Sequence, residues 1–483
     1  MTEKFSENNE NNIAEHADNH EIENNKGAHK INKMGTMPIG RLLLSMAWPP
    51  TISMSINAFY NIIDSIFVAM LSEGSLTAVS LVMPIQMLMV SIGAGSGVGV
   101  NSLIARRLGE NRREEADLAA SIGLRMGFVN YLIFAVIGIF FAPAFIGSFT
   151  DDAHILQSGV IYLRIVTIGS VFFMFQLVIE KIIQSTGQMV PSMLITLTGA
   201  IVNLILDPIL IFGLLGAPKL GIAGAAIATV IGQICAACLG IYICLKHVHG
   251  IRIRLTGFKM NWQIIKDIYG VGLPSMIMQS IGSVMVFGYN AILASSPTAV
   301  AVLGIYFKLQ SIIFMPLFGM NQAAMPIMGY NFGARKKDRL METYKKALMG
   351  AVGIMAIGFA VFQIFPRELL FLFSASENML SMGIPALRII SLCFIPAAFG
   401  IINSTIFQAT GNGFYSLIAS VIRQLAVILP VAYLLVQIDG VTTSWYSFPI
   451  AEIVGLILSA VLLRRLYKTK IAILDMPLQE SRM

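Results

Sequence analysis

Long apolar stretches separated by short polar connections dominate the chain from about residue 40 onward. A stretch of about 20 residues, wound as a helix that rises about 1.5 Å per residue, crosses a hydrocarbon core of roughly 30 Å. Only helices and closed barrels satisfy the backbone in lipid, and these stretches lack the two-residue alternation of a barrel. The pattern therefore predicts an all-α, polytopic membrane protein with twelve transmembrane helices. We place them at residues 42–71, 77–105, 119–142, 155–185, 191–214, 222–246, 263–294, 300–328, 341–365, 378–408, 415–438 and 442–463.

Composition supports the same class of protein. The 483 residues are 56% hydrophobic and 12% charged, and the mean hydropathy is +0.75. A soluble globular domain carries about 25% charged residues. The lipid bilayer is therefore the first partner that the sequence predicts, and we expect a multi-pass protein of the cell membrane.

Positive charge is concentrated in alternate connections between the predicted spans. One set of connections carries Arg106, Arg107, Arg112 and Arg113; Lys246, Arg252, Arg254 and Lys259; Arg335, Lys336, Lys337 and Arg339; and Arg464, Arg465, Lys468 and Lys470. The other set has little more than Lys219 and Arg367. By the positive-inside rule the first set is cytoplasmic, so we expect both termini in the cytoplasm. The net charge of +7 then reflects topology, and no nucleic-acid partner is expected.

The two halves of the chain repeat each other at a constant shift of 224 residues. The shift superposes Pro50 on Pro274, Gln86 on Gln310, Gly95 on Gly319, Gly109 on Gly333, Gly159 on Gly383 and Thr186 on Thr410. Each half has six predicted spans, an even number, so the halves share one orientation and are related by a pseudo-two-fold axis along the membrane normal. Two such lobes around a cleft can rock between inward-open and outward-open states, which is the architecture of a secondary transporter.

These features divide the chain into five predicted segments. Residues 1–37 are polar and rich in Asn, Glu and Lys, so we expect a disordered cytoplasmic tail there and no signal peptide. An N-terminal six-helix lobe at 38–246 and a C-terminal six-helix lobe at 263–468 follow, joined by a cytoplasmic linker loop at 247–262. Residues 469–483 form a second cytoplasmic tail.

An acidic residue lies inside the apolar segment NLILDPIL. Asp207 is one helical turn from Asn203, so the carboxylate and the amide stack on one face of the helix. Pro208 cannot donate to the carbonyl of Leu204, which predicts a bend and a free carbonyl beside the carboxylate. An ionised Asp at the centre of a membrane helix costs at least about 2.5–3.5 kcal/mol, so we expect protein or water along this face.

Several segments together resemble one transporter family. They are RRLGENRREEA with its repeat partner GYNFGARKKDR, IIQSTGQMVP with IFQATGNG, NLILDPILIFG and GIAGAAIAT. In the setting of two six-helix halves, residues 38–468 resemble the multidrug and toxic compound extrusion (MATE) family of cation-coupled antiporters. The resemblance implies export of structurally varied, often cationic and lipophilic compounds in exchange for inward-moving H⁺ or Na⁺.

The resemblance also implies where the coupling ion and the substrate bind. In bacterial members with this pattern the site lies in the first half, and the matching positions are Asp64, Glu180, Asn203, Asp207 and Thr229. Glu180 stands where many members have Asn, so the choice between H⁺ and Na⁺ stays open. Carboxylate, amide and hydroxyl oxygens suit a transient Na⁺ at Asp207 and Asn203, whereas two nearby carboxylates suit one shared proton.

Helix geometry places several of these residues at similar depths. Counted from the turn between the fourth and fifth spans, Glu180 and Asn203 stand roughly 14 and 21 Å above it at about 1.5 Å per residue. Thr229 comes out about 25 Å above the cytoplasmic end of its span, close to Asp207, and the acid of the first span lies higher. We therefore expect the acidic groups to cluster inside the first half.

A structural role is the alternative for each acid in this set. Asp207 can satisfy a neighbouring helix, and Glu180 can pair with Lys181 or with solvent. The repeat-equivalent positions of the second half are uncharged: Gly288, Ser404, Val427 and Val431. A carboxylate needed only for packing would be expected in both halves, so this asymmetry favours a functional role.

The second half has charges of its own that we expect to be buried, namely Lys308, Arg423 and Glu452. The last two lie on an antiparallel hairpin that turns near Asp439, and they are close enough in height to pair. A fixed ion pair and a role in gating or substrate passage both remain open. These three residues are therefore secondary candidates.

Nothing in the sequence indicates an enzyme. There is no nucleotide motif and no nucleophile–base arrangement, so we expect no cofactor, no structural metal and an ion gradient as the energy source. The expected partners are small organic cations or drugs, with no obligate protein partner and a monomeric chain. Two other functions remain open. A flippase for lipid-linked substrates would need a strongly basic cavity for pyrophosphate, and a gated channel would show flux without coupling.

Overall fold

A computed structural model describes residues 32–246, 251–253, 261–373 and 375–475. This part of the chain is nearly all helical, and twelve helices are long and apolar enough to span a membrane when one pair bent by 45° is counted as a single span. In the first half they are α1 (Ile39–Ala69), α2 (Glu73–Gly109), α3 (Arg113–Gly147), α4 (Ala153–Ser185), α5 (Met189–Phe212) and α6 (Ile222–Lys246). In the second half they are α7 (Trp262–Ile292), α8 (Pro297–Gly333), α9 (Lys337–Ile364), α10 (Glu377–Ser391 with Phe394–Ala409), α11 (Gly413–Asp439) and α12 (Ser447–Leu466).

The predicted spans overlap the observed helices one for one. The largest difference is the start of α3, which was placed at residue 119 and lies at Arg113. Glu114 and Glu115 occupy the first turn of α3, where negative charge stabilises the positive end of the helix dipole. Hydropathy detects only the part of a helix that lies in the hydrocarbon core. The polar turns by which a helix continues into water are therefore missed.

Parts of three predicted segments lie outside the described residues. These are residues 1–31 of the N-terminal tail, most of the linker 247–262, and residues 476–483 of the C-terminal tail. The remainder of the N-terminal tail is ordered, because Lys33–Gly35 form a short 3₁₀-helix in which Met34 is fully buried.

Two helices of the second half depart from the regular spans predicted for them. α10 bends by 45° between Ser391 and Phe394, where we predicted one span at 378–408. α11 contains a π-helical stretch at Ile422–Val427, which includes Arg423. Such stretches are frequent at functional sites, since they interrupt the regular hydrogen-bond ladder.

The repeat is visible in the backbone of the two halves. A shift of 224 residues carries the bounds of α2 onto those of α8, and the bounds of α4 onto those of α10. Residues with positive φ also correspond, because Asn111 (60°) matches Arg335 (55°) and Gly187 (85°) matches Gly411 (79°). The chain is therefore two similar six-helix lobes in one orientation, related by pseudo-two-fold symmetry.

The two lobes meet closely on the side that carries the basic turns after α2 and α8, called here the basic side. α2 packs along α7 and α1 along α8, two pairs that the pseudo-two-fold axis exchanges. A methyl group added to Gly109 would collide with the carbonyl oxygen of Tyr330, and one added to Gly333 with that of Arg106. The 224-residue shift relates these two contacts to each other. The lobes are therefore in contact on both sides of the pseudo-two-fold axis at the basic side.

Between α1 and α8 the lobes separate toward the opposite side. α1 and α8 touch where Thr51 meets Gly319 and where Oγ of Ser55 lies 3.9 Å from Sδ of Met315. One turn beyond Ser55 on α1, Phe59 is 67% exposed, and on the matching face of α8 Ile312 is 63% exposed. The α1–α8 side of the interface therefore opens away from the basic side, whereas α2 and α7 stay in contact at the matching level, where Oγ of Ser283 lies 3.8 Å from Sδ of Met87.

Candidate cation and substrate site

The first-half cluster is built where α5 crosses α6. A methyl group added to Gly232 on α6 would lie 2.7 Å from the carbonyl oxygen of Gly199 on α5, so the two backbones are in direct contact. One turn further along α5, Nδ2 of Asn203 donates to Oδ1 of Asp207 at 3.2 Å and to Oγ1 of Thr229 at 3.3 Å. The hydroxyl of Thr229 itself donates to the carbonyl oxygen of its own helix one turn back, at 3.0 Å. The structure thus brings three of the predicted residues together.

Asp64 completes this cluster from α1. Its carboxyl group lies beside that of Asp207, which is fully buried. Within the described residues, three buried oxygens of the cluster accept no hydrogen bond from a defined donor: Oδ1 of Asp64, Oδ1 of Asn203 and Oδ2 of Asp207. A group of buried acceptors without donors suits a proton or a small cation. Residues of α1, α5 and α6 therefore form a group of buried carboxyl, amide and hydroxyl oxygens, called here the acidic cluster.

The sequence analysis missed two tyrosines beside this cluster. Tyr60 is on α1 one turn before Asp64, and Tyr162 is on α4; both lie within electrostatic range of the carboxyl groups. Tyr162 is 2% exposed and hydrogen-bonds with Gln86. The spacing of four residues between Tyr60 and Asp64 was the available signal, since it puts both side chains on one helix face.

Glu180 forms a second, separate arrangement nearer the basic side. Its Oε1 accepts hydrogen bonds from Nε2 of Gln176 at 3.0 Å and from Oγ1 of Thr196 at 2.9 Å. Thr196 is seven residues before Asn203 on α5, which is about 10 Å along the helix. The predicted residues therefore occupy two groups at different depths, and Glu180 is not in contact with the acidic cluster.

A small cavity lies beside Glu180, between α1, α4, α5 and α8. Its volume is about 70 Å³, which is room for water or a small cation. Its polar lining consists of Ser53, Asn57, Glu180, Gln184, Ser192, Thr196 and Gln322. Gln322 belongs to the second lobe and the others to the first, so this cavity, called here the Glu180 cavity, spans the interface.

The predicted alternative partner of Glu180, Lys181, is engaged elsewhere. Its ammonium group donates to Oε1 of Gln184 at 2.9 Å and to Oε1 of Gln322 at 3.0 Å. No ion pair between Glu180 and Lys181 is found among the described residues. The carboxylate of Glu180 therefore faces the cavity with hydrogen-bond donors and without a direct basic partner.

The second lobe holds an ion pair where the sequence allowed one. Nη1 of Arg423 lies 2.6 Å from Oε1 of Glu452, and the two side chains are 22% and 12% exposed. At the repeat-equivalent positions of the first lobe stand Gly199 and Ala228. Each lobe thus has its own polar group inside, and only that of the first lobe has unpaired carboxyl oxygens among the described residues.

The prediction that Lys308 is buried is wrong. Lys308 is exposed, and its ammonium group lies 5.8 Å from the ring centroid of Phe373. Tyr306, two residues earlier on α8, is 1% exposed and points into the lobe. Two residues along a helix turn a side chain by about 200°, which carries Lys308 to the opposite face.

Pro208 lies inside an α-helix that runs unbroken from Met189 to Phe212, so the bend expected there stays a prediction.

No group of three His, Cys, Asp or Glu side chains suited to a metal ion occurs in the described ranges.

Two repeated six-helix lobes of membrane-spanning helices, with acidic side chains inside one lobe, are the architecture of a membrane transporter. The MatE family model matches residues 49–209 and 273–434, which is one match in each lobe. The chain therefore belongs to the MatE family, as the sequence motifs indicated.

Individual relatives agree with this assignment. The multidrug export protein MepA of Staphylococcus aureus is 25% identical over 419 residues, which is 86% of this chain and 91% of MepA. An FAD transporter of Shewanella oneidensis is 27% identical over 424 residues, which is 86% of this chain and 92% of the relative. This chain is thus similar along most of its length to transporters with different stated cargoes.

Solved structures show the same fold. An outward-facing multidrug resistance MATE family transporter superposes with a TM-score of 0.84 at 27% identity, covering 93% of this chain and 99% of that one. A MATE transporter in a conformation described as bent gives a TM-score of 0.86 at 27% identity, covering 94% and 100%.

Proposed function

We propose that this transporter exports cationic and lipophilic organic compounds from the cell in exchange for H⁺ or Na⁺. The observation that carries the proposal is the acidic cluster, in which Asp64, Asn203 and Asp207 hold buried oxygens that accept no defined hydrogen bond. These oxygens stabilise a positive charge inside the lobe, and the lack of a basic partner leaves them to a mobile cation.

The coupling ion and the substrate compete for this cluster. Two carboxyl groups in contact cannot both be ionised at low cost, so Asp64 and Asp207 suit one shared proton. The same oxygens, with Oδ1 of Asn203, offer ligands for Na⁺ as the alternative ion. Binding of H⁺ or Na⁺ neutralises the cluster and releases a cationic compound, and binding of the compound releases the ion.

Alternating access between the two lobes gives the exchange its direction. We place the basic side in the cytoplasm by the positive-inside rule, with both termini there and the open α1–α8 side of the interface toward the cell exterior. Ions then enter the acidic cluster from outside in the conformation described, and the lobes (residues 38–246 and 263–468) rock about their interface to reach the inward-open state. We propose that the chain does this as a monomer in the cell membrane.

A second candidate substrate is a flavin dinucleotide, because one relative is named an FAD transporter. That molecule carries a pyrophosphate, which an acidic cluster repels unless a basic group compensates. Arg423 is paired with Glu452 at 2.6 Å, and the ammonium group of Lys181 is bound by two amide oxygens, so neither charge is free for an anion. This observation favours cationic over dinucleotide cargo, and it also speaks against a flippase for lipid-linked pyrophosphates.

Proteoliposomes test the proposal directly. Purified protein is reconstituted with a fluorescent organic cation inside, and proton and sodium gradients are imposed separately. We expect inward-directed H⁺ or inward-directed Na⁺ to accelerate efflux of the dye. Flux that ignores both gradients would indicate a gated channel, and failure to move any organic cation while moving FAD would assign the second substrate.

A further inference from the structure

Lys181 on α4 joins the two lobes. Its ammonium group is held by the amide oxygen of Gln184 in the first lobe, at 2.9 Å, and by that of Gln322 in the second, at 3.0 Å. Among the described residues it forms no ion pair. A cation between the lobes is thus bound by two neutral oxygens, one from each side.

Neighbouring side chains fix both ends of this bond. A methyl group added to Gly97 on α2 would lie 2.7 Å from Cγ of Lys181, so the lysine stem lies against the α2 backbone. Nε2 of Gln322 lies 3.5 Å from Sδ of Met54 on α1, which turns its oxygen toward the lysine. The bond therefore exists only while α8 stays beside α1 and α4.

The other side of the interface closes through a different hydrogen bond, in which Oγ of Ser102 donates to the carbonyl oxygen of Gln408. The 224-residue shift carries Lys181 to Thr405 and relates Gln322 to Val98. Thr405 donates to Oδ1 of Asn321 at 2.8 Å inside the second lobe, and Val98 has no polar group to offer. Packing of the two lobes therefore does not require a lysine bridge, and the bridge on one side serves another purpose.

The oxygens that hold Lys181 also line the Glu180 cavity. Gln184 and Gln322 both border it, and Glu180 is the only carboxyl group among the side chains that line it within the described chain. The remaining lining groups are amides, hydroxyls, thioethers and a proline ring. A cation drawn in by Glu180 thus meets the same two amide oxygens that Lys181 occupies.

We propose that Lys181 and Gln322 form a latch that holds the basic side closed, and that a cation entering beside Glu180 opens it by competing for Gln184 and Gln322. The nature of that cation rests on the proposed function, whereas the latch itself rests on the contacts described. The lysine is a positioning residue, since it acts on the arrangement of the lobes. Inward opening carries α8 away from α4, so the bond breaks once in every cycle.

The distance between the lobes measures the latch without any transport assay. Spin labels are placed at exposed positions 151 and 378 of the full chain, in nanodiscs, with Cys235, Cys238 and Cys244 replaced by alanine. We expect Lys181→Met to raise the ratio of inward-facing to outward-facing molecules about tenfold, because a hydrogen bond to a charged group is lost. Gln322→Leu should have the same effect.

Three comparisons separate a latch from a general loss of structure. The double variant should shift the ratio no further than either single variant, because both remove the same bond. Lys181→Arg, which keeps a charged donor, should retain most of the outward-facing population. Lys219→Met, which removes an exposed lysine of the connection between α5 and α6, should change nothing. Unchanged distances in Lys181→Met and Gln322→Leu, or additive shifts in the double variant, would overturn the latch.

The release step has its own test. In the protein with Lys181 and Gln322 intact, the concentrations of H⁺ and Na⁺ are raised separately. We expect one of the two ions to increase the inward-facing population. Glu180→Gln should abolish that response. A response that persists in Glu180→Gln removes the cavity from the release step. These distances are measured without an ion gradient and without substrate. A negative efflux assay would therefore not contradict the latch, and unchanged distances would not contradict the proposed export.

Discussion

Single acidic residues inside the membrane are costly, and the structure shows how the first lobe accommodates them. An ionised carboxylate at the centre of a membrane helix costs at least about 2.5–3.5 kcal/mol. Asn203 donates to Asp207, and Thr196 with Gln176 donates to Glu180, so each acid has protein donors in place of water. Within the described ranges neither Asp207 nor Glu180 forms an ion pair, whereas Glu452 in the second lobe is paired with Arg423.

Arg423 and Glu452 in the second lobe form an ion pair, in contrast to the acids of the first lobe. We expect this pair to have a structural role. Arg423→Met leaves the carboxylate of Glu452 without its partner, so the free energy of unfolding should fall by about 3 kcal/mol or more. The double variant Arg423→Met with Glu452→Gln should recover most of that loss and should still transport. Thermal unfolding in detergent, followed by efflux in proteoliposomes, measures both.

A stable double variant that no longer transports would contradict this reading of the pair. It would place Arg423 and Glu452 in gating or substrate passage, the alternative that the sequence left open.

At the scale of helices, glycines decide how closely the elements that carry the site approach one another. α5 and α6 touch through Gly199 and Gly232, and this contact holds Thr229 within 3.3 Å of Asn203. Larger side chains at the crossing would force the helices apart, since the packed backbones leave no space for an extra Cβ. The site is therefore set by a backbone contact one turn away from it.

Gly232→Leu tests that dependence. We expect it to lower the free energy of unfolding by about 1–3 kcal/mol through overpacking, and to weaken binding of the coupling ion because Thr229 moves away from Asn203. Gly353→Leu on α9, where an added methyl group meets nothing within 4 Å, is the matched control. Ion affinity that survives in Gly232→Leu would show that the crossing does not position the cluster.

The helices themselves were predicted and their irregularities were not. Twelve apolar stretches and a 224-residue shift are present in the sequence, so the spans, the two lobes and their common orientation follow from it. The bend lies between Ser391 and Phe394, just before Pro396, and the π-helical stretch at Ile422–Val427 lies just before Pro430. A proline removes the hydrogen bond to the residue four positions earlier, so both places carried a signal that hydropathy alone does not use.

The site was predictable in part for a similar reason. Asn203, Asp207 and Thr229 meet as expected, because their spacing along α5 and their depth on α6 fix their positions. Depth alone also placed Glu180 near Asn203, yet the structure gives it different partners and a cavity of its own. The depth of a residue in the membrane does not give the direction in which its side chain leaves the helix. For the same reason the sequence predicted that Lys308 is buried, although it lies on the exposed face of α8.

At the scale of the whole molecule, two lobes of one fold differ in what they hold inside. The acidic cluster of the first lobe stands opposite uncharged positions in the second, and the Lys181–Gln322 bond occurs on one side of the interface only. The repeated scaffold provides the rocking motion, and the differences between its copies supply ion binding and control. Under the proposed function, the coupling of an ion gradient to export resides in one lobe.

The central claim is that the coupling ion and the substrate share the acidic cluster of the first lobe. The most direct test is the dissociation constant of a fluorescent organic cation for the purified protein, measured while H⁺ and Na⁺ are varied separately. Asp64→Asn and Asp207→Asn are compared with Asp151→Asn, which changes an exposed residue outside the cluster.

We predict that one of the two ions raises the dissociation constant at least about tenfold in the unaltered protein and in Asp151→Asn, since a neutralised cluster no longer attracts the substrate. In Asp64→Asn and Asp207→Asn that dependence should disappear. An equal dependence on the ion in all four proteins would contradict the claim.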